Sequence, residues 1–347
     1  MPAIIAGLHL RWDGVWQRPQ HILSRLAERV KVIVIEEPFV MDAEERDEVF
    51  QDGGVTIVRP VRKPLANGPY VDEQAIDAAH SLIEGARPLV WLYQPLMLPL
   101  AHAFPGALVY DCMDDLASFA FAPLQLREFE QHVLRRSKIV FCGGRTLFKK
   151  RSHFGDKVKL VPSGVEFERF VAARKLKPHA AVTVVPQPRW GYTGVIDERL
   201  DYALLDALAS SPQKPQIFMI GPIAKIDPGL LPRKANVHFT GKQAYAALPS
   251  ILAGLDVALM PFAQNDSTRA ISPTKTLEYL AAGLPVVTTP VPDVVADYGE
   301  VVTVAEGDAF VRACETARAN EDSADVARAH SWDAIVAKMW SEIEPLL

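Results

Sequence analysis

Residues 272–289 read SPTKTLEYLAAGLPVVTT, and this stretch predicts a helix with both ends marked, followed by a strand. Ser272 suits the N-cap, and Pro273 suits the first helical position, where no backbone N–H is needed. Gly283 suits a left-handed C-terminal cap and is followed closely by a proline. The β-branched residues at 286–289 then predict a strand.

Lys275 is an unusual residue for the first turn of this helix. A capping box would place Glu or Gln there, and a cation opposes the helix macrodipole at a cost of roughly 0.3–1 kcal/mol. The free N–H groups of the first turn, which includes Pro273 and Thr274 after the cap Ser272, predict a phosphate site together with the Lys275 amine. Glu278 shares a helix face with Lys275 and could accept hydrogen bonds from ribose hydroxyls. A solvated Lys275–Glu278 pair on an ordinary helix explains the same residues, and so short a motif does not decide between the two.

Composition and charge exclude several classes of protein. The chain has 347 residues, enough for two ordinary domains, and its 49% hydrophobic and 23% charged residues are typical of a soluble globular protein. The net charge of −5 gives no general attraction to nucleic acid, so we expect no nucleic-acid partner. Cys112, Cys142 and Cys314 show no paired spacing, which favours a reducing compartment over a disulfide framework or a zinc site. Residues 1–10 lack a basic start and predict a first strand, not a signal peptide.

Short apolar strands alternate with helices in both halves of the chain, which predicts parallel sheets covered on both faces. The predicted strands lie at 3–8, 32–35, 55–58, 89–93, 107–110, 139–142, 159–162, 189–192, 217–220, 237–239, 257–260, 286–289 and 301–304. The predicted helices lie at 19–28, 72–84, 124–136, 145–153, 201–209, 245–252, 273–282 and from 308 onward.

The alternation restarts after a charged, proline-bearing segment at 172–181, which we predict to be a linker. The fold class is therefore α/β, with two tandem Rossmann-like doubly wound domains at 1–175 and 176–330 that face each other across a cleft. An amphipathic helix at 331–347 ends the chain and is expected to pack back on the first domain. Sheets of this kind bind ligands at the carboxyl ends of their strands, at the point where the strand order reverses.

The motifs of the second half carry a family resemblance. They read GYTG at 191–194, FMIGP at 218–222, VHFTG at 237–241 and SPxKxxEYxAAGxPVV at 272–287. In combination they resemble the C-terminal domain of GT-B glycosyltransferases of the group 1 glycosyl transferase family. The segment WDGVWQRPQH at 12–21 resembles a bacterial branch of that family that works on cell-surface polysaccharides.

The resemblance implies a nucleotide-diphosphate sugar, which we expect to be UDP-linked, on the C-terminal domain and a glycan or lipid-linked acceptor on the N-terminal domain. Lys275 and the helix N-terminus would hold the diphosphate, and Glu278 the ribose. Arg199 would be a further phosphate ligand, although a solvated residue at a helix start is an equally simple interpretation. The backbone near Gly241 and Gln243 would face the base.

One position departs from the family pattern. The family often pairs two glutamates eight positions apart, and the earlier position here is Ala270. Because that glutamate usually contacts the donor sugar, the sequence does not predict which residue recognises the donor sugar here. The loss of this glutamate favours one alternative to a transferase, a non-catalytic protein that binds sugar nucleotides. A second alternative is a nucleotide-sugar epimerase of the same fold, which would not need a basic acceptor face.

Three acidic residues, Asp111, Asp114 and Asp115, follow a predicted strand of the first half. In many relatives this strand end carries a His–Asp pair near the reacting sugar, and Asp114 and Asp115 occupy that place. We predict Asp114 as the general base, with Asp111 and Asp115 as rivals, and expect mutual repulsion to raise one pKa. Helix capping by Asp114 or Asp115 is the plain alternative. Mg²⁺ binding is the other, but we expect no metal and no cofactor, since the phosphate site draws positive charge from protein. The sequence does not decide whether the transfer inverts or retains the configuration at the anomeric carbon.

Two further features concern the acceptor domain. Arg18 and His21 begin the first helix, where Arg18 would stabilise leaving-group charge unless it is a salt-bridged surface residue. Basic residues are frequent at 127–159, which suits an anionic membrane surface or a polyprenyl-diphosphate acceptor, while a solvated face is the plain alternative. We therefore expect a cytoplasmic enzyme working at the inner face of the plasma membrane.

Overall fold

The computed structural model describes residues 2–14, 16–64, 70–83, 85, 87–119, 122–265, 268–269, 271 and 274–347. Contacts divide the chain into a first unit, Met1–Ser163 with Trp332–Leu347, and a second unit, Gly164–Ser331. The sequence analysis placed the boundary later, at 175/176.

The first unit is built on one large sheet. Its described strands are β1 (Ala3–Leu8), β2 (Lys31–Glu36), β3 (Phe39–Val40), β4 (Arg46–Asp52), β5 (Val55–Arg62), β6 (Leu89–Leu92), β7 (Leu108–Cys112), β8 (Ile139–Cys142) and β9 (Val158–Leu160). Their order is β3-β5-β2-β1-β6-β7-β8-β9, all parallel, and β4 pairs antiparallel with β5. The strand order reverses between β1 and β6. The sequence analysis did not predict β4, because its residues are mostly charged and partly exposed.

Helices cover this sheet because each presents an apolar stripe. The described ones in this part of the chain are α1 (Arg18–Leu26), α2 (Glu73–Ile83), α3 (Pro99–Ala103), α4 (Leu126–Arg136) and α5 (Arg145–Arg151). In α1, for example, Ile22, Leu23 and Leu26 are fully buried at helical spacing. Strands β1, β6 and β8 are buried along their whole length, as expected for the centre of a parallel sheet.

The second unit repeats the same architecture with a parallel sheet. Its described strands are β10 (Arg189–Thr193), β11 (Gln216–Ile220), β12 (Val237–Gly241), β13 (Val257–Met260), β14 (Val286–Thr288) and β15 (Thr303–Val304). The order β12-β11-β10-β13-β14-β15 reverses direction between β10 and β13. The predicted class of two doubly wound α/β domains is confirmed.

The remaining helices belong to the second unit, except the last. They are α6 (Phe167–Val171), α7 (Ala180–Thr183), α8 (Tyr202–Ala209), α9 (Leu248–Leu252), α10 (Lys275–Ala282), α11 (Pro292–Tyr298), α12 (Gly307–Thr316) and α13 (Ser323–Ala329). The chain then returns to the first unit in α14 (Trp332–Ile343), which contacts α1.

The predicted linker at 172–181 is part of the second unit. It contains a short 3₁₀ turn, Ala172–Lys175, in which Ala173 is buried, and it ends in the first turn of α7. The composition of the segment suggested a linker, but its small side chains allow it to pack closely against the domain that follows.

Candidate active site

Three glycines lie at the carboxyl ends of neighbouring strands in the second unit: Gly194 after β10, Gly221 after β11 and Gly241 at the end of β12. The Gly194 N–H donates to the Ile220 carbonyl oxygen at 2.9 Å. A Cβ on Gly221 would overlap the carbonyl oxygen of Gly194, whereas Gly241 has open space around it and a φ of +68°. Glycine is needed here because the loops approach each other closely, and the backbone is left accessible to a ligand.

Lys275 lies in the first turn of α10, and its amine faces two aromatic rings. Nζ is 5.4 Å from the ring centroid of Tyr192 on β10 and 5.7 Å from that of Phe262, just after β13. The residue therefore marks the point where the strand order of the second sheet reverses. Burial lowers its pKa to about 8, and the nearby charge of Arg199 acts in the same direction.

The surroundings of the Lys275 amine lack a matched anion. Among the described residues it forms no ion pair with a carboxylate, although Glu278 and Asp197 are close enough to favour its charge. A half-buried cation without such a partner is costly unless an anion completes its environment. The alternative of a solvated Lys275–Glu278 surface pair does not describe this geometry.

Glu278 lies one turn further along α10 and is also half-buried. Burial raises its pKa to about 7; Lys275 opposes the shift, and the Glu166 carboxylate adds to it. The pKa of Tyr245 is also raised. Burial is the largest cause, and the charges of Glu278 and Glu166 add to it. Glu166 and Tyr245 were missed by the sequence analysis, because both are far from Glu278 in sequence and neither belongs to a recognisable motif.

Arg199 is held in place by its neighbour Asp197. Nη2 lies 2.6 Å from Oδ2 and Nε lies 2.9 Å from Oδ1, while the Tyr202 hydroxyl donates to the Asp197 backbone carbonyl at 2.6 Å. The guanidinium is therefore oriented and not freely solvated, and it lies near Lys275. Gln243, the other predicted residue of this edge, donates from Nε2 to the Thr240 carbonyl at 2.9 Å.

The beginning of α10 is only partly described. Thr274 precedes the helix in the helical conformation, and its carbonyl oxygen accepts from the Leu277 N–H at 3.1 Å. Gly283 has the left-handed conformation, φ +77°, that was predicted for the C-terminal cap. Ser272, Pro273 and Ala270 lie outside the described residues.

Asp111 is the second-last residue of β7 and is fully buried in an ion pair. The Arg18 Nε donates to Oδ1 at 2.9 Å, and Arg18 Nη1 donates to the Val161 carbonyl at 2.8 Å. Burial raises the pKa of Asp111, while the Arg18 guanidinium opposes the shift. Arg18 is therefore not the surface residue of the plain alternative. Its charge is already matched inside the first unit, which argues against a leaving-group role.

Asp115 and Asp114 have different environments. Asp115 accepts from Lys150 Nζ at 2.6 Å and from Arg151 Nη2 at 3.2 Å. Burial alone would raise its pKa, but Lys150 and Arg151 outweigh burial and lower it to about 2. Such a carboxylate is a weak proton acceptor. Asp114 is half-buried, two residues beyond the end of β7. The sequence analysis expected mutual repulsion among the three acids to raise one pKa. The pKa of Asp111 is raised, but its main cause is burial.

His21 packs among aromatic rings of the first unit. Its ring stacks on Trp332 of α14, with centroids 4.9 Å apart, and meets Trp16 edge-on at 5.2 Å. These contacts connect α1 to α14, so His21 has a structural role in the first unit.

Within the described part of the chain, no three His, Cys, Asp or Glu side chains are grouped as metal ligands. No helix described there is both long and apolar enough to cross a bilayer.

Comparison with known families gives one match. Residues 187–320 match the family model described as glycosyl transferases group 1. This range contains all of β10 to β15 and the whole Lys275–Glu278 site, so the family match and the geometry concern the same part of the chain.

Known proteins resemble the chain over most of its length. A Bacillus subtilis (strain 168) protein, TuaH, assigned by its name to teichuronic acid biosynthesis as a glycosyltransferase, is 26% identical over 297 residues, 77% of this chain and 73% of TuaH. The sucrose-phosphate synthase of Thermosynechococcus elongatus has a similar fold, with a TM-score of 0.71, 15% identity and 99% of both chains covered. The Anabaena protein Alr3699/HepE, solved with UDP and glucose, gives a TM-score of 0.72 at 13% identity over 99% of this chain and 100% of its own.

Proposed function

We propose that this chain, whose residues 187–320 match the group 1 glycosyl transferase family, is a GT-B glycosyltransferase that moves a sugar from a UDP-sugar to a glycan or lipid-linked acceptor in cell-surface polysaccharide synthesis. The proposal is supported by TuaH, whose name assigns it to a cell-wall polymer, and by HepE, which was solved with UDP.

The observation that carries the proposal is the Lys275 amine. It lies over the Tyr192 and Phe262 rings at the reversal point of the second sheet, and no carboxylate of the described residues is paired with it. A diphosphate supplies the negative charge that this position lacks, and Arg199 next to it adds a second cation. Glu278, one turn away, then accepts from the ribose hydroxyls, and the loop at Gly241 and Gln243 faces the base.

We assign the role of general base to Asp114. The other two candidates are poor proton acceptors for a substrate: Asp111 is fully buried against Arg18, and Lys150 and Arg151 outweigh burial and lower the pKa of Asp115 to about 2. Asp114 is half-buried at the carboxyl edge of the first sheet, where an acceptor hydroxyl can lose its proton to a carboxylate. The positive charge around the donor phosphates comes from Lys275 and Arg199, so the proposed reaction uses no metal ion.

The acceptor side is proposed to work in the cytoplasm at an anionic membrane surface. Arg127, Arg135, Lys138 and Lys149 of the basic segment are exposed, and so is the side chain of Leu124, which precedes α4 and is 95% exposed. Exposed cations together with an exposed apolar side chain suit binding to acidic lipid headgroups. Sedimentation with vesicles of acidic and of neutral phospholipid checks this part of the proposal: binding should require the acidic lipid and weaken in Lys138→Glu.

Incubation with UDP-glucose, followed by chromatography of the products, tests the reaction. A transferase releases UDP and passes glucose to an acceptor or to water, and Asp114→Asn should reduce this rate by roughly 10²-fold or more. The matched control is Asp42→Asn, an exposed aspartate of the first unit, which should leave the rate unchanged. An isomerised UDP-sugar with the UDP–sugar bond intact identifies an epimerase. Binding of UDP-glucose without any UDP release identifies a non-catalytic protein.

A further inference from the structure

A second polar site lies in the first unit, at the reversal point of its own sheet. His9, Glu37 and Gln94 follow the neighbouring strands β1, β2 and β6. The Glu37 N–H donates to the Leu8 carbonyl at 2.9 Å and the Tyr93 N–H to the Gly7 carbonyl at 3.1 Å, so the parallel ladder continues beyond the strands. The three side chains therefore lie side by side at the carboxyl edge, where doubly wound sheets bind ligands.

Each of these three side chains has a buried polar atom without a hydrogen-bond partner among the described residues. The atoms are His9 Nδ1, Glu37 Oε1 and Gln94 Oε1. Buried polar atoms are nearly always paired, because leaving one unpaired costs roughly 1–3 kcal/mol. An interaction with the Gln94 side chain lowers the pKa of Glu37 against the effect of burial, but Glu37 Oε1 and Gln94 Oε1 themselves have no hydrogen-bond partner in the described part of the chain. Three such atoms on three adjacent strands indicate a ligand that supplies hydrogen bonds to them.

A cavity of about 660 Å³ opens beside Glu37, within the size range of small-molecule sites. Its walls combine the Tyr70 ring with Pro38 and Val40. Burial is the larger cause of a raised pKa at Tyr70, and the nearby charge of Glu37 is the smaller one. An aromatic ring beside hydrogen-bonding groups fits a sugar, since a sugar presents an apolar C–H face and a rim of hydroxyls.

The charges around the cavity disfavour an anionic ligand. Among the described residues, its lining contains the carboxylates of Glu45, Asp72 and Glu73 and two cations, Arg62 and Lys63. Burial raises the pKa of Glu37 to about 7 and Arg11 opposes the shift, so this carboxyl adds a partial negative charge near pH 7. Arg62 is already bound by Asp72, with Nε 2.5 Å from Oδ2, and by Asp47. Burial lowers the pKa of His9 to about 4, so its ring is neutral near pH 7 and offers no charge to a phosphate.

We propose that His9, Glu37 and Gln94, with the cavity beside them, bind an uncharged sugar residue, so that the accepting end of the acceptor is a neutral glycan. The role of this sugar as acceptor rests on the proposed function, whereas its binding does not. His9, Glu37 and Gln94 bind the hydroxyls, and Tyr70 packs on the sugar face.

Saturation-transfer NMR titrations of the full chain test the proposal with four probes. Two are uncharged, methyl β-glucopyranoside and N-acetylglucosamine, and two are anionic, glucuronic acid and glucose 6-phosphate. The uncharged probes should bind the wild-type protein more tightly than either anion. Glu37→Gln and Tyr70→Leu should each weaken that binding by roughly two- to tenfold, the effect of one lost neutral hydrogen bond or ring contact.

The control is Glu128→Gln on α4, where the glutamate side chain is 76% exposed; it should bind all probes as the wild type does. Tyr70 is half-exposed, so Tyr70→Leu reports on the site even if Glu37→Gln disturbs the fold. The proposal is overturned if no uncharged probe binds, if both site variants bind as tightly as the wild type, or if an anionic probe binds more tightly. A UDP titration of the same samples distinguishes the two proposals. If the proposed donor site is wrong, UDP will not bind to the wild type, whereas Glu37→Gln should leave UDP binding unchanged.

Discussion

The Lys275 amine and the Tyr192 ring face each other at 5.4 Å, where α10 begins and β10 ends. The ring face stabilises the cation in part, by roughly 0.5–2 kcal/mol in typical cases, but it supplies no full negative charge. A second contact holds the two elements in register, since the Tyr279 hydroxyl accepts from the Thr193 N–H at 2.7 Å. The amine is thus kept at the strand ends by rigid neighbours, as a preorganised anion site requires.

The pKa of about 8 at Lys275 predicts a pH dependence of donor binding. A bound diphosphate stabilises the protonated amine and raises this pKa, so binding takes up a proton between the free and the bound pKa. The affinity for UDP-glucose should therefore fall by up to roughly tenfold per unit above about pH 8, as the amine loses its proton. Calorimetric titrations across this range check it. Lys275→Arg should bind without that decline, because arginine stays charged; a flat wild-type profile would contradict the assignment.

The ribose role of Glu278 predicts a coupling with the 2′-hydroxyl. Wild-type protein should bind UDP more tightly than 2′-deoxy-UDP by roughly tenfold or more, the usual effect of a hydrogen bond to a charged group. Glu278→Ala should bind both nucleotides alike. Competition titrations of UDP against 2′-deoxy-UDP, on the wild type and on Glu278→Ala, give the four affinities that measure this coupling. If the preference for UDP persists in Glu278→Ala, another residue holds the ribose.

Asp111→Asn and Asp114→Asn should fail in different ways. Asp111→Asn leaves the buried Arg18 guanidinium without its anion, which should lower the free energy of unfolding by roughly 3–5 kcal/mol. Asp114→Asn replaces a half-buried carboxylate with an amide of the same shape, so it should lose less stability than Asp111→Asn and should lose turnover. Urea denaturation of both variants measures the first effect, and UDP release measures the second. Equal stability of the two variants would show that the Arg18–Asp111 pair does not hold the first unit together.

The glycine contact between the β10 and β11 loops predicts a severe substitution. Gly221→Ala would drive its methyl group into the Gly194 carbonyl, so it should cost more than about 3 kcal/mol or displace the loop and abolish UDP binding. Gly307→Ala is the control. It also has a positive φ, +50°, but has open space around it, so it should lose only roughly 1–2 kcal/mol. Thermal denaturation compares the two, and similar losses would show that the loop relaxes freely.

Local patterns explain how much of the fold could be predicted from the sequence. The cap at Gly283, the apolar spacing of α10 and the apolar strands all depend on neighbouring residues, and the structure has them at nearly the predicted positions. Helix ends shift by a residue or two, as expected when the last turn tightens. The segment at 172–181 misled the analysis because the same composition serves a linker and a tight packing turn.

The site was less predictable, because its contacts join residues that are distant in sequence. Arg18 and Asp111 lie 93 positions apart, and only the sheet order brings them together. Cys112 and Cys142, which show no paired spacing in the sequence, are register partners on β7 and β8 and remain free thiols. The orientation of Arg199 by Asp197 could have been suspected from the short spacing, but the Glu166 and Tyr245 environment of Glu278 could not.

The most direct test is a calorimetric titration of the wild type, Lys275→Ala and Lys177→Ala with UDP-glucose. Lys177 is an exposed lysine of the same unit, so its removal matches the change in net charge. The account predicts that Lys275→Ala weakens binding by roughly tenfold or more, as expected when a charged hydrogen-bond donor is lost, and that Lys177→Ala binds like the wild type. Equal affinity of Lys275→Ala and the wild type would contradict the assignment of this amine to the diphosphate.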